Sequence, residues 1–407
     1  MPFRFASCSL DPERHEFRRA EELVRLEPQV FDLLFALVQS HGDLVSRERL
    51  IETVWRGVNV SDATISARIN AARAAVGDTG KDQRIIRTVP RRGYQLAVPV
   101  EADEGPAPDD GASAPEERQV VRFTHSADGL RVAYARSGSG PPLVRVGHWL
   151  THLELDWHSP VWRPLLDVLG ARHTLYRYDQ RGTGLSGRKA GGLRLEDFVA
   201  DLKAVADAAG LDRFPIFAAS QAAPVALRFA AEHPDRVSRI ILLGAYAEGR
   251  AFRAPSPNEA DEETVLALIR SGWGRRGSPF VRAFSSLFMP DATTEQIQHF
   301  VQVQLESASP ETAVLLRQAV DRFSVTDILA QVRAPVLVIH ARGDVIHPIS
   351  QGRLLASELP DARFVMLDSD NHVPLPQHPS WPEMVEEINA FLDEDPAVQV
   401  TRRGVSG

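Results

Sequence analysis

The feature that most constrains this chain is an alternation that begins at Gln119. Strand-like runs stand at residues 143–146, 174–178, 215–218, 239–243, 335–340 and 364–367, after an opening hairpin at 120–124 and 131–135. A helical stripe of Phe198, Leu202, Val205 and Ala209, closed by Gly210, separates the runs at 174–178 and 215–218. Strands that alternate with helices must return in the same direction. They therefore predict a mostly parallel sheet with helices on both faces. A sheet of that kind builds its site from the loops at the carboxyl ends of its strands.

Ser220 stands at one such end. Ile216-Phe217-Ala218-Ala219-Ser220-Gln221-Ala222-Ala223 is an apolar run, a serine with small residues at −2 and +2, and the start of a helix-forming stretch that extends from Pro224 to Glu232. This is the pattern of a nucleophile elbow, in which a sharp turn strains the serine and leaves no room for bulky flanks. Asp344 follows the run at 335–340 in His-Ala-Arg-Gly-Asp, and His372 follows 364–367 in Asp-Ser-Asp-Asn-His. The three supply a nucleophile, a base and an acid. His372 takes the hydroxyl proton of Ser220, while Asp344 fixes the imidazole tautomer and stabilises the imidazolium. Asp368 and Asp370 are rival carboxylates, close to His372 in sequence.

The order Ser, Asp, His on successive strand ends resembles the arrangement of α/β-hydrolases. Tyr-Asp-Gln-Arg-Gly-Thr-Gly-Leu-Ser-Gly-Arg at 178–188 resembles that family's Asp-x-Arg-Gly-x-Gly-x-Ser loop, and His-Pro-Asp-Arg-Val-Ser-Arg-Ile-Ile-Leu-Leu-Gly-Ala at 233–245 follows the elbow as it does there. The resemblance covers about residues 119–395 and implies that Asp179 and Arg181 brace turns. It also implies an oxyanion hole with the backbone N–H of Gln221 as one donor. The family's usual His-Gly pair is inverted here as Gly147-His148, which makes Trp149 the second donor, with its indole or that of Trp157 lining the pocket. The expectation is a serine hydrolase with its triad retained; a lost donor costs about 10²–10³ in rate, so the inversion allows weak or purely sensory activity, and the alternative is a local shift that keeps the donor. Helical patterns at 263–270, 279–288, 294–306 and 310–323 fall where the fold carries a cap, about 248–332. Phe280, Phe284, Phe288, Met289 and Phe300 are its candidate apolar wall.

The first hundred residues read differently. Short alternating segments precede three helical stripes: Val30, Phe31, Leu34, Leu37 and Val38; then Leu50, Ile51, Val54 and Trp55; then Ile65, Ile69, Ala72 and Val76. At about 100° per residue the third helix turns Ala63, Ala67, Asn70, Ala71 and Ala74 outward, with Arg68 and Arg73 on opposite flanks. A face of methyl groups with one amide can approach a major groove closely: Asn70 suits an adenine edge, and arginines suit guanine or phosphate. Two β-rich runs joined by Pro-Arg-Arg-Gly follow, a hairpin with Arg91 and Arg92 at its tip, shaped for a minor groove. Val-Ser-Asp-Ala-Thr-Ile-Ser-Ala-Arg-Ile-Asn-Ala-Ala-Arg-Ala-Ala-Val-Gly-Asp with Ile-Ile-Arg-Thr-Val-Pro-Arg-Arg-Gly-Tyr-Gln-Leu-Ala-Val resembles the winged-helix DNA-binding domain of the response-regulator output (OmpR/PhoB-like) type. The resemblance implies recognition of double-stranded DNA by Arg68, Asn70 and Arg73, with Arg91 and Arg92 in the wing. Members of that type usually follow a receiver domain, and here the module comes first.

Charge supports the division. The chain's net charge is −8, yet residues 1–100 hold 15 basic and 13 acidic residues, and the stretch from Arg56 to Arg92 holds eight basic and three acidic. One basic stretch in an acidic protein suits local nucleic-acid contact. Residues 101–118 are acidic and rich in Pro, Gly and Ala, the composition of a flexible tether. The expected layout is therefore a winged helix (1–100), a linker (101–118), an α/β-hydrolase domain (119–395) and a tail (396–407). A single cysteine, Cys8, suits a reducing cytoplasm, and no apolar run is long enough for a bilayer. No metal or cofactor is expected. Together these readings describe a cytoplasmic one-component transcriptional regulator that receives a small ester or acyl-type ligand, acting as a homodimer. The alternative is an active serine ester hydrolase with an accessory DNA-binding module.

Overall fold

The computed structural model describes residues 3–11, 16–20, 22–24, 26–40, 44–54, 60, 62–89, 92–102, 119–188, 192–253, 262–273 and 278–394. The chain divides into two compact units, residues 1–113 and 114–407. The expected tether from Asp103 onward, the C-terminal tail and Arg91 lie outside the described residues.

The first unit begins with β1 (Phe3–Phe5), β2 (Cys8–Asp11), β3 (Glu16–Arg19) and β4 (Glu22–Leu23). Three helices follow, α1 (Pro28–Gln39), α2 (Arg47–Val54) and α3 (Asp62–Val76), then a hairpin of β5 (Ile86–Val89) and β6 (Gly93–Leu96) and a last strand β7 (Val100–Ala102). Pro28 opens α1, where its missing N–H has no partner to lose. The stripes read from sequence meet in one core: Phe31, Leu34, Leu37, Leu50, Ile65, Ile69, Ala72 and Val76 are all buried. β7 pairs with β1 to complete an antiparallel sheet in the order β4-β3-β2-β1-β7, so this unit continues past the expected boundary at residue 100. α3 ends at Gly77 in the left-handed region (φ 76°). Burial alone would raise the pKa of Asp78, but N–H bonds from Thr79, Arg84, Ile85 and Ile86 outweigh it and hold the carboxyl below its ordinary value.

The second unit opens with β8 (Val120–His125), β9 (Arg131–Ser137) and β10 (Pro142–Arg145), then α4 (Leu153–Trp157), α5 (Arg163–Gly170) and β11 (Thr174–Tyr178). α6 (Leu195–Ala208), β12 (Phe214–Ala219), α7 (Ala222–Glu232) and β13 (Val237–Leu243) lead, among the described residues, to four cap helices. These are α8 (Glu262–Gly272), α9 (Pro279–Phe288), α10 (Thr294–Ser307) and α11 (Pro310–Val320). β14 (Val336–Ala341), α12 (Ile349–Glu358), β15 (Ala362–Leu367) and α13 (Trp381–Asp393) complete it. The sheet order is β15-β14-β13-β12-β10-β11-β9-β8; every pairing from β11 across to β15 is parallel, and β8 and β9 add an antiparallel edge. The central strands are apolar without alternation because both faces are covered, and every residue of β14 is buried.

Candidate active site and nucleic-acid interface

β12 ends at Ala219 and α7 begins at Ala222, so Ser220 must reverse the chain in one step. It does so at φ 56°, a left-handed conformation that costs a non-glycine residue about 1–3 kcal/mol. The turn is held by the Ser220 N–H bond to the Leu243 carbonyl (2.8 Å) and by the Ala223 N–H bond to the Ser220 carbonyl (3.1 Å). Ala218 and Ala222 are fully buried, which is why these flanks are small.

Asp344 and His372 meet at the neighbouring strand ends. His372 Nδ1 lies 2.7 Å from Asp344 Oδ2, while Asp344 Oδ1 accepts the backbone N–H groups of Ile346 (2.8 Å) and His347 (3.1 Å). The carboxylate thus faces the imidazole with its remaining oxygen occupied, which fixes the Nδ1–H tautomer and leaves Nε2 to accept a proton. Gly244, at φ 55°, lets the ring pass, since a Cβ there would sit 3.0 Å from its Nδ1 and Cε1. The rivals are elsewhere: Asp368 pairs with Arg342 (3.4 Å) with its carboxylate in solvent, and Asp370 is exposed beside Gly343.

One expected contact is replaced. Ser220 Oγ lies 3.1 Å from Nε2 of His347 and makes no hydrogen bond to His372. His347 was not legible as a site residue, although it stands three positions after Asp344 in Gly-Asp-Val-Ile-His-Pro, inside the turn that the Asp344 carboxylate organises.

The proposed oxyanion donors are braced by a residue that sequence reading also passed over. Gln180, in the loop after β11, accepts the Gln221 side-chain amide (2.8 Å) and donates its own N–H to Thr151 Oγ1 (3.3 Å), two residues beyond Trp149. Among the described residues neither the Gln221 nor the Trp149 N–H has a protein acceptor. Both ring nitrogens of His148 are engaged: Arg145 donates to its Nε2 (2.5 Å), and its Nδ1 meets the Trp149 carbonyl (3.0 Å). Desolvation, with the Arg145 charge second, pushes His148 well below the usual imidazole range and so keeps it neutral. The loop itself is buried and charged. Arg181 forms a fork to Asp201 (2.8 and 2.7 Å) and reaches Asp128 (3.0 Å). Asp179 accepts the N–H groups of Leu153 (3.2 Å) and Leu185 (2.8 Å), and burial raises its carboxyl to about 7.

The first unit presents α3. Ser66, Ala67, Asn70, Ala71 and Ala74 are exposed, opposite the buried stripe. Arg73 is a correction. It is buried, and its guanidinium donates to the Ile86 carbonyl (3.1 and 2.9 Å) and to Thr88 Oγ1 (2.8 Å), which ties α3 to the hairpin. Arg68 also faces inward in part, donating to Gln29 (3.0 Å) and pairing with Glu27 (2.6 Å). Arg92 is exposed at the hairpin turn. Gly93 is required there: at φ 146°, a Cβ would lie 2.1 Å from the Val45 carbonyl, which bonds the Tyr94 N–H.

Residues 152–379 match the α/β hydrolase fold family, more than half of the chain. The chain belongs to the α/β hydrolase fold family. A pimeloyl-acyl-carrier-protein methyl ester esterase of Nitrosomonas europaea is 27% identical over 247 residues, 60% of this chain and 93% of that protein. An esterase structure from Exiguobacterium antarcticum superposes with a TM-score of 0.58 at 20% identity, covering 67% of this chain and 99% of that one, which shows the shared fold. Residues 20–96 match the family described as transcriptional regulatory protein, C terminal. The transcriptional activator CadC of Escherichia coli K12 is 36% identical over 98 residues, 24% of this chain and 19% of that protein. This α/β hydrolase therefore carries an N-terminal DNA-binding winged helix of the regulator type.

The hydrolase pocket is narrow. Ser220, His372, His148, Trp149, Trp162, Phe288 and Phe300 surround about 20 Å³ of free space, room for one water molecule. Phe288 of α9 stands edge-on to His372 at 5.7 Å and face-tilted to Phe300 at 5.6 Å. Phe280 and Phe284 pack within the cap, Phe284 against Trp273. Trp149 reaches the pocket and Trp157 does not. Trp157 lies under the guanidinium groups of Arg163 (4.0 Å) and Arg177 (5.5 Å). No helix among the described residues is long and apolar enough to cross a membrane, and no cluster of potential metal ligands occurs among them.

Proposed function

We propose that this chain is a one-component transcriptional regulator whose hydrolase domain takes, and slowly hydrolyses, a small ester or acyl-type ligand. The observation that carries the reading is the strained Ser220 at φ 56° beside a carboxylate-held imidazole, His372 on Asp344 at 2.7 Å. A left-handed serine directly after a strand and before a helix is the conformation that a nucleophile elbow requires. In this reading Ser220 attacks the acyl carbon, His372 accepts its proton and returns it to the leaving alcohol, and the N–H groups of Gln221 and Trp149 meet the oxyanion. The space beside Phe288 of α9 and Phe300 of α10 is only water-sized, so ligand entry moves these two helices. That movement is the event available to change how the winged helices sit on DNA. The protein acts in the cytoplasm as a homodimer, because one module buries too little surface for high specificity. On the DNA side, Asn70 and Arg92 are the exposed reading groups, and Arg91 precedes Arg92 in sequence.

The test pairs two measurements on the full chain and its Ser220→Ala variant. One is turnover of a series of p-nitrophenyl acyl esters. The other is binding to a duplex selected from a random pool by the wild-type chain. Turnover lost with DNA binding kept supports the reading. Wild-type protein that neither turns over any ester nor changes its DNA affinity with one present overturns it. A second reading, an ester hydrolase with an accessory DNA-binding module, is favoured by the intact Asp344–His372 pair and by a relative named as a methyl ester esterase. It predicts fast turnover and DNA affinity indifferent to ester.

A further inference from the structure

The hydrolase site contains two imidazoles, and the nucleophile is bonded to the one without a carboxylate. His347 Nε2 lies 3.1 Å from Ser220 Oγ, and the His347 and His372 rings stand edge to face at 5.2 Å. The two are not equivalent. His372 has Asp344 on Nδ1 and is built to carry a positive charge. His347 is gripped through its backbone: its N–H donates to Asp344 Oδ1 (3.1 Å) and its carbonyl accepts from His340 Nε2 (2.9 Å). Its ring rests against Tyr246 at 4.6 Å, and the Tyr246 hydroxyl points away to the Val320 carbonyl (2.7 Å). Desolvation first, then the charges of His372, Arg317, Arg253 and His340, push its basicity well below the usual imidazole range. A group so placed can accept a hydrogen bond but is ill suited to hold a proton.

We propose that His347 is a positioning residue that holds the Ser220 hydroxyl off His372 in the resting site and so slows acylation. For reaction, Ser220 turns about χ1 until its hydroxyl meets His372. The Oγ–H proton then passes to His372 Nε2, the Oγ–acyl bond forms, the ester C–O bond breaks, and the leaving alkoxide takes the proton back from His372. The resting hydrogen bond is lost on this path. Its net strength corresponds to a deficit of about 2- to 12-fold in the reactive rotamer. A site slowed in this way keeps its ligand longer, which suits the sensing role proposed above. The inference rests on that serine-hydrolase reading.

The experiment uses the full chain and a fluorophosphonate probe, whose phosphorus bonds to Ser220 Oγ as fluoride leaves. His347→Val should label about 2- to 12-fold faster than wild type. His347→Gln, which can keep a hydrogen bond to Oγ, should stay near the wild-type rate. The acid limb of the labelling-rate pH profile should keep its midpoint in both, because the base remains His372. A rate that falls in His347→Val as it does in His372→Ala makes His347 the base and overturns the proposal. An unchanged rate overturns it too. A second readout does not need turnover. With histidine side chains labelled with ¹⁵N, Ser220→Ala should move the Nε2 resonance of His347 and leave Nδ1 of His372 in place; the reverse pattern overturns the assignment. Failure of wild type and all variants to label overturns the hydrolase reading and this one with it. Labelling that is present but indifferent to His347 overturns this one alone.

Discussion

The two candidate sites of this chain are assembled in opposite ways. The hydrolase site collects Ser220, Asp344 and His372 from three strand ends far apart in sequence, and the sheet brings Asp344 and His372 within 2.7 Å. The candidate DNA-facing surface is one contiguous helix, tied to a hairpin by Arg73. There, proximity in sequence comes free, and the question is which side chains remain available. Asn70 does; Arg73 is committed to Ile86 and Thr88, and Arg68 to Glu27 and Gln29. A site made by topology is legible from the order of its residues. A site made by a helix face is legible only as a face, because long flanking side chains can turn inward.

The largest expected effects break the hydrolase half of this comparison. Asp344→Asn should lower kcat by about 10⁴-fold, since the amide leaves His372 in the wrong tautomer. An ester-turnover assay decides it, and equal loss in Asp368→Asn would return the acid role to the rival. Gly244→Ala should come next, with a fall in kcat of about 10- to 100-fold. Its methyl group would press on the His372 ring at 3.0 Å and would sit on a backbone at φ 55°. Both variants should bind DNA as wild type does. A matching loss of DNA binding would show that the two units do not act as separate sites.

The DNA half is sharpened by a contrast between two residues three apart. Arg73→Ala removes three hydrogen bonds and leaves the buried Ile86 carbonyl without its side-chain donor, so the first unit should lose about 2–3 kcal/mol of stability. Asn70→Ala should leave its unfolding midpoint unchanged and weaken selected-duplex binding by about 1–3 kcal/mol. Thermal unfolding and duplex titration of both variants check this. If Arg73→Ala is as stable as wild type and binds DNA poorly, the inward placement of Arg73 is wrong.

Most of the architecture was readable because its causes are local or periodic. The eight strands of the hydrolase sheet and four cap helices follow from apolar runs and from stripes such as Val281, Phe284 and Phe288. The elbow followed from small flanks at Ala218 and Ala222. What escaped is chemistry set by rotamers and by nearest neighbours in space. Arg73 lies about 70° from the centre of the Ile65–Val76 stripe, a flank from which an arginine can reach either solvent or the hairpin. Its direction depends on where the Ile86 carbonyl sits. His347 looks in sequence like any residue of a turn before proline, and only the folded position of Ser220 makes it a partner. Trp149 and Trp157 are alike in sequence, and the guanidinium groups of Arg163 and Arg177 over the Trp157 ring separate them.

The smallest expected effect concerns Gln180, which is not among the residues that line the pocket of Ser220 and His372. Its side chain receives the Gln221 amide at 2.8 Å, and its N–H reaches Thr151 at 3.3 Å, so one residue steadies the segments that carry both proposed oxyanion donors. Gln180→Ala leaves those donors present but less firmly aimed. A lost donor costs about 10²–10³, and loosened aim should cost less, about 3- to 10-fold in kcat with KM nearly unchanged, because the oxyanion exists only in the transition state. A rise in KM at constant kcat would mean that Gln180 shapes the pocket rather than the oxyanion hole. The variant should bind DNA normally, so a residue absent from both reaction and recognition would still separate the hydrolase site from the DNA-binding one.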